Sequence, residues 1–265
     1  MNLTALCKYK CRGTFTLLKE ICMRKLFTAC IALIMVSFSL EISATPSTQI
    51  WIPSTDVQSY KQLNIGWDAY IGTASGETEG IMSNGGITVG VLPFSKVAME
   101  VGIDYRDGSG NHKDPLYFNA KIGLPEDAFF KYMPAVAIGG YDFGTRKDFT
   151  TYNIIYGLVS RSIWKLGRFS VGGFKGGVGN DNAELLFGKS DAGVMLSWDR
   201  VMSEVSDKLW LCIDFQSGKS SYGALNIGAS WKFAPNVGMI LGYDVYNDRK
   251  EFKPTVTYQI DINVF

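Results

Sequence analysis

The chain has 265 residues, with 26 Lys and Arg against 25 Asp and Glu and a single histidine, for a formal net charge of +1. That balance, with no basic block, excludes a nucleic-acid footprint. One histidine leaves little for histidine-based hydrolysis, and four of the five cysteines fall in the first 30 residues, so the rest holds no internal disulfide or thiolate cluster.

Met23-Arg24-Lys25 opens a short basic region, an apolar run follows from Leu26 to Leu40, and Ile42-Ser43-Ala44 offers a small-residue cleavage site before Thr45. This is the layout of a secretory signal peptide and is short for a membrane-spanning helix. The expected division is a signal peptide over 1–44, with the true start at Met23, and one barrel domain over 45–265. Cys30 has too little apolar sequence before it for a lipoprotein anchor. Cys7, Cys11, Cys22 and Cys30 leave with the leader, and only Cys212 remains. Residues 1–44 hold six of the basic and two of the acidic residues, so the remainder has 20 basic against 23 acidic, a net of −3.

Downstream, segments alternating apolar and polar residues recur with little between them but polar turns. Strands are expected near 61–72, 83–92, 96–106, 115–124, 131–143, 151–162, 167–178, 190–199, 207–217, 222–232, 236–246 and 253–265. Each is about the length a tilted strand needs to cross a bilayer. Twelve is an even number, as an up-and-down barrel with both termini on one side requires. Two strands break period, at Gly139-Gly140 and Gly172-Gly173, where β-bulges are expected. No loop is long enough for a substantial plug.

Three features point the apolar face to lipid rather than to an interior. The polar face is rich in glycine (Gly66, Gly90, Gly102, Gly123, Gly157, Gly193, Gly228, Gly242), a poor choice for a solvent-facing strand. Aromatics gather at strand ends as two girdles, with Trp164, Trp198, Trp231 and Phe233 at one rim and Tyr70, Tyr105, Tyr141, Tyr152 and Tyr246 at the other. The chain also ends in Phe265, directly after an alternating strand. With these features the mature length resembles Gram-negative outer-membrane β-barrels. Ile52-Pro53-Ser54-Thr55-Asp56-Val57, Gly90-Val91-Leu92-Pro93-Phe94-Ser95-Lys96, Asp207-Lys208-Leu209-Trp210 and Phe233-Ala234-Pro235-Asn236 are similar to stretches of a porin-like group in that class. The resemblance implies an outer-membrane location, contact with lipid and lipopolysaccharide, and recognition of the C-terminal strand by the barrel-assembly machinery. It implies no particular activity. Phe265 departs from the class by standing one residue out of phase with Ile260, Ile262 and Val264.

Five strands carry the same short pattern near one end: Gly66-Trp67-Asp68-Ala69-Tyr70, Gly102-Ile103-Asp104-Tyr105, Gly140-Tyr141-Asp142-Phe143, Cys212-Ile213-Asp214-Phe215 and Gly242-Tyr243-Asp244-Val245-Tyr246. Alternation turns Asp68, Asp104, Asp214 and Asp244 inward, and a bulge would do the same for Asp142. The expectation is an acidic ring lining a pore near its outer mouth, with Lys175 at that height on the sixth upward strand. Glu100 and Asp261 are expected near mid-depth, and Lys121, Arg161 and Lys232 lower in the lumen. Rings of Asp or Glu favour cations in pores. A dry lumen would instead force such carboxylates into a charge network with loop bases such as Arg106, Lys113, Arg146, Lys147, Arg249 and Lys250.

The functional expectation is therefore a passive channel for small cationic or neutral solutes, without cofactor or metal. The alternative is a closed structural or interaction barrel. His112, beside Ser109 and Asp114, reads as a loop residue and not as part of a triad, and the chain is not expected to be an enzyme. Neither that loop nor Asn180-Asp181-Asn182 with Glu184 matches a defined calcium loop. Asp199–Glu204 is expected to form a helical turn closing the base.

Overall fold

In the computed structural model the described residues are 47–73, 81–107, 116–146, 149–188 and 190–264. The expected signal peptide, Lys113, Lys147, Phe265 and His112 with its loop lie outside them. Alternation over about ten residues yields twelve strands. The first six are β1 (Leu63–Gly72), β2 (Met82–Gly90), β3 (Ala98–Asp107), β4 (Leu116–Leu124), β5 (Ala135–Gly144) and β6 (Thr151–Ile163). The rest are β7 (Gly167–Lys175), β8 (Ala192–Val201), β9 (Leu209–Gln216), β10 (Ala224–Ala234), β11 (Val237–Tyr246) and β12 (Thr255–Val264). Each pairs antiparallel with its sequence neighbours, and β1 closes on β12 from Leu63 opposite Val264 to Gly72 opposite Thr255. The rim with Leu63 and Val264 is the terminal rim; the other is the far rim.

The faces are inside-out relative to a soluble barrel. Ile65 and Trp67 on β1, Ile87 on β2, Phe118 on β4, Val171 on β7, Ile227 on β10 and Leu241 on β11 are exposed on the outer wall. Asn64, Gln216, Asn226, Thr257, Gln259 and Asn263 are buried within. Such an apolar belt is stable only against lipid, so this is a transmembrane up-and-down β-barrel.

Departures from the expected register explain several misplaced side chains. One bulge falls at Tyr141-Asp142, not Gly139-Gly140, with Asp142 at φ 55°, so that both side chains face inward. A second lies in β10 between Lys232 and Ala234. Gly172-Gly173 carries none: β7 pairs without a break on both sides. The expected tyrosine girdle is corrected too. Tyr70, Tyr141, Tyr152 and Tyr246 line the interior, because Tyr70 and Tyr246 share parity with the inward Asp68 and Asp244. Tyr105 does face outward, as do Trp164, Trp231 and Phe233 at the terminal rim. There a 3₁₀ turn forms at Trp164–Leu166. Met202 O accepts Val205 N–H and Ser206 N–H in a tight turn, while Asp199 and Arg200 stay in β8. A short helix, α1 (Ala183–Phe187), stands between β7 and β8.

The largest difference from expectation lies before β1. Residues 47–62 turn back into the barrel and cross its lumen, so the plug that no loop could provide comes from the stretch just before β1. Gln49, Ile50, Ile52, Ser54, Thr55 and Gln58 are all buried. Lys61, at φ 66°, makes the turn into β1, its N–H donating to Gly90 O at 2.8 Å. Gly90 is needed there, since a Cβ would stand 1.9 Å from Ser59 O.

Candidate functional site

The inserted segment is held by charged groups that the alternation of β3, β4, β7, β8 and β9 turns inward. Ile50 N–H and Trp51 N–H donate to Oδ2 of Asp214 at 2.8 and 2.9 Å, and Asn226 Nδ2 donates to Oδ1 at 2.6 Å. Glu100 and Lys121, opposite each other on β3 and β4, form a 3.1 Å ion pair with side chains only 5% and 3% exposed. Glu100 also accepts Gln58 N–H at 2.7 Å, and Lys121 Nζ donates to Ser47 O at 2.7 Å. Asp199 accepts Gln49 Nε2 at 3.1 Å, and Arg168 bridges Asp199 and Asp56 at 2.9 and 2.7 Å. A buried charge is tolerated when it is paired and hydrogen-bonded; Glu100 with Lys121 and Arg168 with its two carboxylates meet that condition, while Asp214 is held by three hydrogen bonds.

Apolar contacts complete the seat. Ile52 packs with Ile154, Leu158 and Met195, and Ile50 with Cys212 and Ile240. Cβ atoms added at Gly228 and Gly242 would stand 3.0 and 3.1 Å from Ile50, so these glycines make its recess. Phe187 of α1 stacks on Tyr222 at 5.6 Å, inside a cluster with Tyr152 and Tyr141.

What remains open is a cavity of about 740 Å³ along β12 and β1–β5, reaching the far rim at Gly72, Met82 and Phe252. Its floor is Ser47, Thr48 and Pro53 of the inserted segment. A second cavity of about 890 Å³ opens at the terminal rim beside Arg168, Lys208, Trp210 and Lys232.

The expected ring is thus divided. Asp68, Asp104 and Asp142 line the far cavity together with Glu100, Lys121 and the mid-depth Asp261. Asp142 is neutralised: Arg106 pairs with it at 2.7 Å, and Tyr222 donates to its other oxygen. Asn119 Nδ2 donates to Asp104 at 2.7 Å, and Asn84 stands opposite Asp68. Among the described residues neither Asp68, Asp104 nor Asp261 forms an ion pair. Asp214 and Asp244 lie outside the cavity lining. Asp214 is beneath the inserted segment, and Asp244 is fully buried, accepting Thr255 Oγ1 at 2.7 Å. Lys232 lines the terminal cavity.

Two of the expected lumenal bases are not lumenal. Lys175 lies opposite the exposed Ile155, because the unbroken ladder at Gly172-Gly173 keeps Phe174 inside; it pairs with Asp191. Arg161 follows the exposed Ile155 and Val159 on the outer face of β6 and holds the β4–β5 turn through Glu126 at 3.2 Å and Asp127 at 2.9 Å. Its guanidinium keeps the Asp127 carboxyl below the usual carboxylate range. Sequence reasoning missed the seating roles of Asp199 and Arg168. Their inward parity on β8 and β7 was the available signal. No group of three potential metal ligands occurs among the described residues, and Asn180 turns its side chain to Asn182 N–H and Thr151 O.

No protein-family model matches the chain, and no curated protein matches it in sequence. Solved structures match it in fold. Outer membrane phospholipase A from Escherichia coli is 11% identical, with a TM-score of 0.50 over 80% of this chain and 95% of its own. The calcium-bound dimer of the Salmonella typhi outer membrane phospholipase is 12% identical, with a TM-score of 0.48 over 85% of this chain and 96% of its own. The KdgM porin is 8% identical, with a TM-score of 0.46 over 76% and 98%. The phospholipase match corrects the expectation of a non-enzyme: a barrel of this architecture carries catalysis in that protein, so the fold gives no ground for denying it here. At these identities the likeness is one of fold: the chain is a closed twelve-stranded antiparallel β-barrel of the architecture seen in outer membrane phospholipase A.

Proposed function

We propose that this protein is a passive outer-membrane barrel that admits small cationic or neutral solutes through its far mouth. The observation that carries this reading is the wall of the far cavity. Asp68, Asp104 and Asp261 face it without an ion pair; of its bases Arg106 and Lys121 are engaged by Asp142 and Glu100, and Lys253 stands beside Glu251 at the far rim. Unpaired carboxylates in a confined aqueous path attract cations and repel anions. On this reading residues 1–44 are a cleaved leader, the far mouth is extracellular, the belt meets outer-membrane lipid and lipopolysaccharide, and the C-terminal strand with Phe265 engages the assembly machinery.

A second reading, a closed barrel with a lumenal charge network, draws on the inserted segment, which crosses the lumen between the two cavities. Ion flux from proteoliposomes separates the two. Potassium release faster than chloride release, compared with empty vesicles, supports the channel. A folded barrel that releases neither leaves the closed barrel standing.

A further inference from the structure

We propose that residues 47–62 are a displaceable plug, and that their release opens the passage between the far and terminal cavities. The inference rests on the channel reading above, and the tests below separate the two.

Displaceability follows from how the segment is bound. All twelve strands complete their ladder without it; among the described residues its only bridge to a strand is the single pair Tyr60–Gly90. Its grip comes from scattered side-chain contacts: Asp214, the Glu100–Lys121 pair, the Asp199–Arg168 pair, and Gln259, whose Nε2 donates to Ile50 O at 2.6 Å. Removing it therefore breaks no sheet.

The seat is also imperfect. Among the described residues, Ser170 Oγ, Ser197 Oγ and Thr257 Oγ1 on the inner wall find no protein hydrogen-bond partner, nor do Gln58 Nε2 and Gln62 Nε2 of the segment and its exit. A buried polar group left unpaired destabilises the state that buries it. Opening would wet these groups, so the wall keeps the polar surface of a pore while the segment covers it. The hinge is present too, in the exposed Tyr60-Lys61 turn at the terminal rim.

The test is a disulfide lock in the processed chain. Thr55 Oγ1 and Ser160 Oγ lie 2.5 Å apart, close to the separation of bonded sulfurs of about 2 Å. Thr55→Cys with Ser160→Cys, in a Cys212→Ser background, should fix the segment to β6. In planar bilayers the oxidised protein should lose its openings, and reduction should restore them. Ile50→Asp with Ile52→Asp, which leaves the wall untouched, should raise the open fraction at least about tenfold, the change expected when large apolar side chains lose their burial. Oxidised and reduced protein conducting alike would overturn the plug. Labelling of a lone Thr55→Cys by a charged maleimide gives a readout independent of conduction. Faster labelling in the Ile50→Asp, Ile52→Asp chain without any current would uphold the displaceable plug and refute the channel. Unchanged labelling would refute the plug itself.

Discussion

Trp51 donates its main-chain N–H to Oδ2 of Asp214 at 2.9 Å, joining the segment before β1 to β9 across 163 residues of sequence. Ile50 shares the same oxygen, and Asn226 holds the other. The carboxylate that the sequence places in a cation-attracting ring therefore serves as the acceptor for a bend in the plug. Asp214→Ala leaves two main-chain donors without an acceptor and should destabilise the barrel by about 2–3 kcal/mol, with Asp214→Asn milder because one acceptor oxygen survives. Urea unfolding in lipid vesicles, followed by tryptophan fluorescence, measures this. Equal stability of Asp214→Ala and wild type would contradict the assigned contact.

The Glu100–Lys121 pair gives a second test. Removing one partner strands a charge in the lumen, so Lys121→Met should cost on the order of 3–5 kcal/mol, and the double change Glu100→Leu, Lys121→Met less than the sum of the singles. Both residues also hold the plug, through Gln58 N–H and Ser47 O. Each single variant should therefore show faster labelling at Thr55→Cys as well as lower stability.

Arg106 sets the charge of the far cavity. It neutralises Asp142 and lies over the Tyr117 ring at 4.5 Å. Arg106→Gln should lower stability by roughly 3 kcal/mol, because Asp142 stays buried without its partner. It should also move the reversal potential further toward the cation limit. An unchanged reversal potential would place the Arg106–Asp142 pair outside the conducting path.

The lipid-facing belt is open to a direct check at Leu241, which is 55% exposed at the middle of β11. Leu241→Arg should cost about 2–4 kcal/mol in a bilayer. The same change on a solvent-facing wall would be nearly neutral. A null effect in vesicles would contradict the membrane assignment of this face.

The barrel was legible because its rule is local. Period-two alternation marks each strand, and all twelve expected spans fall on observed ones, within a few residues at either end. The site was less so, because side-chain direction depends on register. A Gly-Gly pair reads as a bulge, yet Gly172-Gly173 stays regular and sends Lys175 outward, while the real bulge sits two residues beyond its expected place and turns Asp142 inward beside Arg106. The plug was not legible at all, since Gln49–Gln62 has no period that a wall would impose. Its signals were indirect: Ile50, Trp51 and Ile52 before Pro53, and inward glycines such as Gly242 with nothing assigned to fill the space they leave.

The central claim is that the far cavity's carboxylates select cations. The most direct measurement is the reversal potential of residues 45–265 in a planar bilayer under a KCl gradient, compared with Asp68→Asn, Asp104→Asn, Asp261→Asn in one chain. A cation-selective potential that falls toward zero in the triple variant, with folding intact, is the predicted result. An anion-selective potential, or a cation preference unchanged by removing all three charges, would contradict it.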